Sequence, residues 1–360
     1  MVSDVVVVPH FTLHPSRINF HDEYIFLNGK KGRCHHSIKG FKNNNNHNKV
    51  SASARSKINN AIDYLTTISD QKTVFDRNNN RSIRFRLTFA TLTLPSKQIH
   101  SDQIIRRDCW HHFITVMERK YNIKYYVMRS ERQWNGNLHF HFVTNTFIPY
   151  QDLRDVWNNI INKLGYVDRY REEMKAFHAN GFKPRMDLLK YWPIESQIKA
   201  FKNGKLSDWN SPNTTDIHSL RLITNVKSYI CKYISKNEHI NHETISRAKI
   251  TDRPKFIKGN RSVTLGAKEF IKTNINVGRL WACSHSLSNL HGYRGDIDSE
   301  INQELQRLYK SKKCRYFTKD YCKVLFIDIA ILQECKCFKL LHMLNEFLSE
   351  HFQYSIQLST

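Results

Sequence analysis

Apolar and polar residues alternate along Asn137-Leu138-His139-Phe140-His141-Phe142. Leu138, Phe140 and Phe142 therefore share one face of a predicted strand, and Asn137, His139 and His141 share the other. Asn135-Gly136 stands just before it. Both residues tolerate positive φ, which predicts a two-residue turn and a partner strand carrying Glu131. Upstream, residues 82–89 alternate in the same way, and 90–94 continue the strand until Pro95 stops it. Arg84 and Arg86 fall on one face of that strand, where they can meet phosphates.

Helical spacing takes over between these strands. Ile105, Trp110, Phe113, Ile114 and Met117 mark the inward face of a helix over about 102–121. A second helix begins near Pro149, buries Leu153, Val156, Trp157, Ile160, Ile161 and Leu164, and ends at Gly165. The predicted order is β-α-β-β-α. Residues 166–212 show no regular pattern and mix lysine and arginine with aromatics. That mixture suits a single-stranded nucleic-acid surface, and equally an insertion packed on its own domain. Residues 214–220 read as another strand with Asp216 and His218 on one face, and a helix follows from Thr224-Asn225, both N-cap residues.

Outside 81–240 the pattern is weaker. Residues 1–80 read as an N-terminal extension, disordered in part because Asn43-Asn44-Asn45-Asn46-His47-Asn48 cannot pack a core. A short amphipathic helix there carries Ile58, Ile62, Leu65 and Ile68, while Cys34-His35-His36 sits in a basic surface loop. Residues 241–360 form a basic C-terminal region suited to gripping DNA. It holds helices at 299–311 and 334–351 and a strand at 321–329.

Composition narrows the function. The chain has 360 residues, 40% of them hydrophobic, enough for one large domain or two. Its formal charge of +24 attracts polyanions, nucleic acid first. The 8 cysteines include no C-x-x-C pair, and no apolar run is long enough to span a bilayer. A soluble, reduced, cytoplasmic protein without membrane contact is expected.

Two stretches carry candidate chemistry. His139 and His141 stand side by side on their strand and can hold one metal ion, with Glu131 adding an oxygen from the partner arm. The plain alternative is a half-buried strand that happens to carry two histidines. The second stretch is the helix over 225–237. Val226, Ile230 and Ile234 form its apolar stripe, Tyr229 and Tyr233 lie one turn apart along its edge, and Lys232 and Lys236 follow each tyrosine by three residues. A phenol beside a lysine and a metal makes a phosphodiester-transfer site. Taken alone, the same helix also reads as core tyrosines with solvated lysines.

Three segments stand in a fixed order: Phe89-Ala90-Thr91-Leu92-Thr93-Leu94-Pro95, His139-Phe140-His141, and Tyr229-x-x-Lys232-Tyr233-x-x-Lys236. Over residues 81–240 this resembles the rolling-circle replication initiators of the HUH endonuclease superfamily, found in plasmids and single-stranded DNA phages. Gly278–Ser284 is similar to a segment beyond the tyrosine helix in phage and bacterial relatives. The resemblance implies an α+β fold: a five-stranded antiparallel, ferredoxin- or RRM-like sheet with flanking helices, followed here by a mixed C-terminal region. It implies a nickase that cuts one strand at an origin, keeps a 5′-phosphotyrosine link and leaves a 3′-OH as primer.

By position, His139, His141 and Glu131 would bind Mg²⁺ or Mn²⁺. Tyr233 would be the main nucleophile and Tyr229 its partner or a second nucleophile, with Lys236 and Lys232 beside them. Thr91, Thr93, Arg84 and Arg86 would contact single-stranded or origin DNA. No G-x-x-x-x-G-K-[ST] loop is present, so a host helicase and polymerase are the expected partners. A transposase or relaxase of the same superfamily, or a non-catalytic nucleic-acid-binding protein on a ferredoxin-like sheet, is the alternative.

Overall fold

The structure, a computed structural model, describes residues 5–26, 50–77, 79–133, 135–219, 255–258, 261–264, 280–319 and 322–356. Its strands in chain order are β1 (Val5–His14), β2 (Arg17–Phe26), β3 (Lys72–Asp76), β4 (Arg81–Phe85), β5 (Thr88–Leu92), β6 (Tyr126–Arg132) and β7 (Leu138–Thr144). They continue with β8 (Thr215–Ser219), β9 (Lys255–Lys258), β10 (Arg261–Thr264), β11 (Trp281–Cys283), β12 (Tyr293–Asp296), β13 (Arg315–Lys319) and β14 (Cys322–Phe326). Contacts divide the chain into two compact units. One takes residues 1–45, 59–70 and 285–360, and the other takes 46–58 and 71–284. Among the described residues no helix is long and apolar enough to cross a membrane.

The unit of 71–284 is built on a five-stranded antiparallel sheet in the order β11-β6-β7-β5-β8. Leu138, Phe140 and Phe142 of β7 are wholly buried, and with Ala90 and Leu92 of β5 they form the core face. A helical run over 102–121 lies in that core. It is made of α2 (Asp102–Ile104), a π-helical stretch Ile105–His111 and α3 (His112–Tyr121). Ile105, Trp110, Phe113, Ile114 and Met117 are all buried, as their spacing predicts. Helix α4 (Tyr150–Asn162) adds Leu153, Trp157, Ile160 and Ile161, and the Trp157 Nε1–H donates to Thr93 O at 2.7 Å. Pro149 occupies the N-cap, and Gly165, at φ +75°, turns the chain beyond the helix.

Three expectations change here. The strand drawn through 82–94 is two strands. β4 pairs only with β3 in a separate hairpin, and the chain breaks at Arg86-Leu87 before β5 enters the main sheet. The hairpin loop is longer than two residues. Gly136 N–H donates to Gln133 O and Gln133 N–H donates to Asn137 O, with only Gly136 at positive φ (82°) among the described loop residues. That is a β-turn closed by a left-handed glycine. Finally, 166–212 is not irregular: it holds α5 (Tyr166–Phe177), a 3₁₀ turn Met186–Leu188 and α6 (Ile194–Leu206). Its aromatics pack on one another, with His178 stacked on Trp209 and in contact with Phe177 and Phe201. Most of the rings interleaved with basic residues are thus committed to a small core of their own; Tyr191, at 80% exposure, is not.

The other unit carries a second five-stranded antiparallel sheet, β12-β1-β2-β14-β13. Residues 5–26, expected as part of an extension, form its hairpin β1–β2, paired from Val5↔Phe26 to His14↔Arg17. Phe11, Leu13 and Ile18 are wholly buried there. Helix α1 (Ala52–Thr67) buries Ile58, Ile62 and Leu65, in agreement with their spacing. Helices Ser299–Ser311, Ile329–Glu334 and Phe338–Phe352 complete the unit. The tract 43–48, the Cys34-His35-His36 loop, Lys249, Arg253 and Lys268 lie outside the described residues.

Candidate metal centre

The antiparallel register of β6 and β7 sets Glu131 opposite His139 and Arg129 opposite His141. Directly opposed residues point to the same face. The carboxylate and both imidazoles therefore converge on the face turned away from Phe140 and Phe142. Glu131 Oε1 lies 2.8 Å from His139 Nε2 and 2.7 Å from His141 Nε2. The two rings meet edge to face with centroids 4.4 Å apart. One ligand atom from each residue falls within a 4.8 Å circle, the one such cluster among the described residues.

Neighbouring strands hold these side chains. Thr91 Oγ1 lies 2.9 Å from His141 Nδ1, and Phe89 stacks on the same ring at 5.6 Å. Arg132, next to Glu131, reaches across to Asp102 with Nη2–O distances of 2.8 and 2.7 Å, tying the hairpin to the helical run. Arg106 Nη2 donates to Ser130 Oγ at 3.0 Å.

The electrostatics favour ligation. Burial raises the proton affinity of Glu131, but hydrogen bonds from His139 and His141 outweigh it and hold the carboxyl well below the usual carboxylate range. Burial lowers the pKa of His139, against the pull of Glu131, and so favours the neutral ring that a metal ion requires. Two imidazole nitrogens and a carboxylate oxygen form a donor set for a divalent ion. Adjacent ligands of an octahedral ion at ~2.1 Å stand ~3 Å apart, close to the separations seen. In addition, His139 Nδ1 is buried without a hydrogen bond, so this ring's polar partner sits at its Nε2 edge, where the three donors meet.

The other expected site residues are distributed unevenly. Thr91 belongs to the site through His141. Thr93 is a strap: its N–H and Oγ1 both donate to Thr214 O, at 2.8 and 3.0 Å. Arg84 is exposed on β4, outside the site's sheet, and Arg86 lies in the break between β4 and β5. Tyr229, Lys232, Tyr233 and Lys236 lie outside the described residues.

Two features escaped the sequence reading. Arg129, wholly buried, stands beside His141 on the metal face; counting pairs back from Glu131–His139 would have found it. Across the sheet, Asp216, Thr91, His141, Arg129 and Trp281 form one continuous row. Trp281 sits in β11, so the segment 278–284 supplies the fifth strand.

Residues 87–238 match a family model for replication-associated proteins of the ORF2 type. This match supports a rolling-circle replication initiator, and the antiparallel α+β architecture agrees with the HUH type. No curated protein and no solved structure matches the chain.

Proposed function

We propose that the chain is a metal-dependent, tyrosine-type single-strand DNA endonuclease and strand transferase that nicks an origin and starts rolling-circle replication. The observation that carries this reading is the convergence of His139 Nε2 and His141 Nε2 on one Glu131 oxygen, inside a segment of replication-associated type. A site meant only to grip DNA has no use for a buried carboxylate shared by two neutral imidazoles.

His139, His141 and Glu131 would hold Mg²⁺ or Mn²⁺, which when bound supplies Lewis-acid charge to the non-bridging oxygens of the scissile phosphate. Tyr233 is the proposed nucleophile, with Lys236 beside it to favour phenolate over a phenol of ordinary pKa ~10. Its oxygen forms a bond to phosphorus, the P–O3′ bond breaks, and the departing 3′ oxygen takes up a proton. The 5′ phosphate stays on the tyrosine and the 3′-OH primes a host polymerase. One phosphodiester is exchanged for another, so the reverse step rejoins the strand with no external energy source. Tyr229 and Lys232 would serve the second transfer. A host helicase would open the duplex.

The test is a gel assay on single-stranded oligonucleotides tiling the replicon's origin, with Mn²⁺ or with EDTA. We expect one cut and a covalent protein–DNA band with Mn²⁺, and neither with EDTA. The band should vanish in Tyr233→Phe and persist in Tyr229→Phe. Binding without cleavage under every condition would overturn the enzyme reading. A full adduct in Tyr233→Phe with none in Tyr229→Phe would exchange the two roles.

A further inference from the structure

We propose that the open face of the second sheet, in the unit of residues 1–45, 59–70 and 285–360, is a platform for single-stranded DNA. The register decides which side chains share it. Arg294, Thr12, Asn19, Val324 and Phe317 stand in one row across all five strands, each the direct partner of the next. One row along, Phe326 is flanked by Arg315 on β13 and Arg17 on β2. The opposite face carries Phe11, Leu13, Ile18 and Leu325, all buried, so the core lies on that side. On the open face Phe317 keeps 49% and Phe326 46% of its surface exposed.

Half-exposed phenyl rings on a strand leave apolar area in water, which is unfavourable until a flat partner covers it. Nucleobases are such partners, and stacking on them is tolerant of sequence. The same face supplies the rest of what a single strand needs. Arg294 and Arg315 are exposed at opposite margins of the sheet, about 19 Å apart at the usual strand spacing, and suit phosphates. Thr12 and Asn19, half-buried between them, offer donors and acceptors to base edges. The acidic residues whose register positions fall on this face, Asp296 and Glu23, stand at the end away from Phe326, and Asp296 lies 2.6 Å from His10. The chain leading into β13 carries Arg307, Lys310, Lys312, Lys313 and Arg315 with no acidic residue between them. The charge and the rings together fit a polyanion with flat apolar parts. This inference stands apart from the metal centre and does not depend on cleavage.

The experiment uses the full chain in EDTA, so that no cutting intervenes, and a fluorescein-labelled oligothymidine followed by anisotropy. Phe317→Ala/Phe326→Ala should weaken binding at least tenfold, and Phe317→Trp/Phe326→Trp should restore it. Arg315→Ala should weaken binding and flatten its salt dependence. In the unaltered protein, 5-iodouracil placed in the oligonucleotide should crosslink to Phe317 or Phe326, a readout that needs no variant to fold. Unchanged affinity in the double alanine variant, or crosslinks confined to 87–238, would overturn the proposal. So would unchanged affinity with a loss of self-association in sedimentation, since β13 would then be an edge that pairs two copies.

Discussion

The Thr91 hydroxyl lies 2.9 Å from Nδ1 of His141, on the side of the ring turned away from Glu131. A hydroxyl both donates and accepts, so this contact suits either state of the imidazole. With a proton on Nε2 facing Glu131, Nδ1 accepts from Thr91. With an ion at Nε2, Nδ1 carries the proton and donates to Thr91 instead. Such outer contacts commonly govern metal affinity by about 10–100-fold. Thr91→Val keeps the shape and the strand preference but loses the hydroxyl. It should weaken Mn²⁺ binding by about that factor in calorimetric titration and leave the far-UV spectrum unchanged, while Thr91→Ser retains most of the affinity.

Metal binding should also appear as stability. An ion bound only by the folded state adds about 2.7 kcal/mol at one hundred times its Kd. Mn²⁺ should therefore raise the melting temperature of the parent protein, and EDTA should reverse the rise. His139→Ala/His141→Ala should abolish the shift, and Glu131→Gln should reduce it, because one charged oxygen faces both Nε2 atoms. An undiminished shift in the double alanine variant would move the ion elsewhere.

Arg132 and Asp102 form a largely buried bidentate pair, their side chains 12% and 5% exposed. Removing one member of such a pair strands the other charge and typically costs about 3–5 kcal/mol. Asp102→Ala should therefore lower stability to urea by roughly that amount. Arg132→Met/Asp102→Leu should recover much of it, since paired apolar groups leave no charge behind. Comparing Mn²⁺ affinity in the two variants then separates fold stability from the placing of Glu131, one residue away.

The metal centre was legible because it is local. A strict two-residue period fixes the face of His139 and His141, and one glycine turn fixes which residue of the other arm opposes them. The core helices were legible for a similar reason, each apolar stripe being complete within its own segment. The β1–β2 hairpin was not. Its outer pairings are with 293–296 and 323–326, nearly three hundred residues along the chain, and no local period reports such a partner. Helices α5 and α6 were missed because few of their residues are buried, so they show little stripe. The break at Arg86-Leu87 was hidden by alternation that runs straight through it, although β4 and β5 belong to different sheets.

Gly136 sets the register on which Glu131 depends. At φ +82° it occupies the left-handed region, its N–H closes the turn on Gln133 O, and Arg132 Nη1 donates to its carbonyl at 2.5 Å. A side chain there costs about 1–2 kcal/mol from the clash of Cβ with the backbone, more for a β-branched residue. Gly136→Val should therefore lower stability by at least about 1 kcal/mol and weaken Mn²⁺ binding beyond what the stability loss explains. Gly136→Asn, which tolerates this conformation, should keep the metal affinity near that of the parent. If Gly136→Val melts lower but binds Mn²⁺ as tightly as before, the opposition of Glu131 and His139 is held by the strands alone and the turn merely closes the loop.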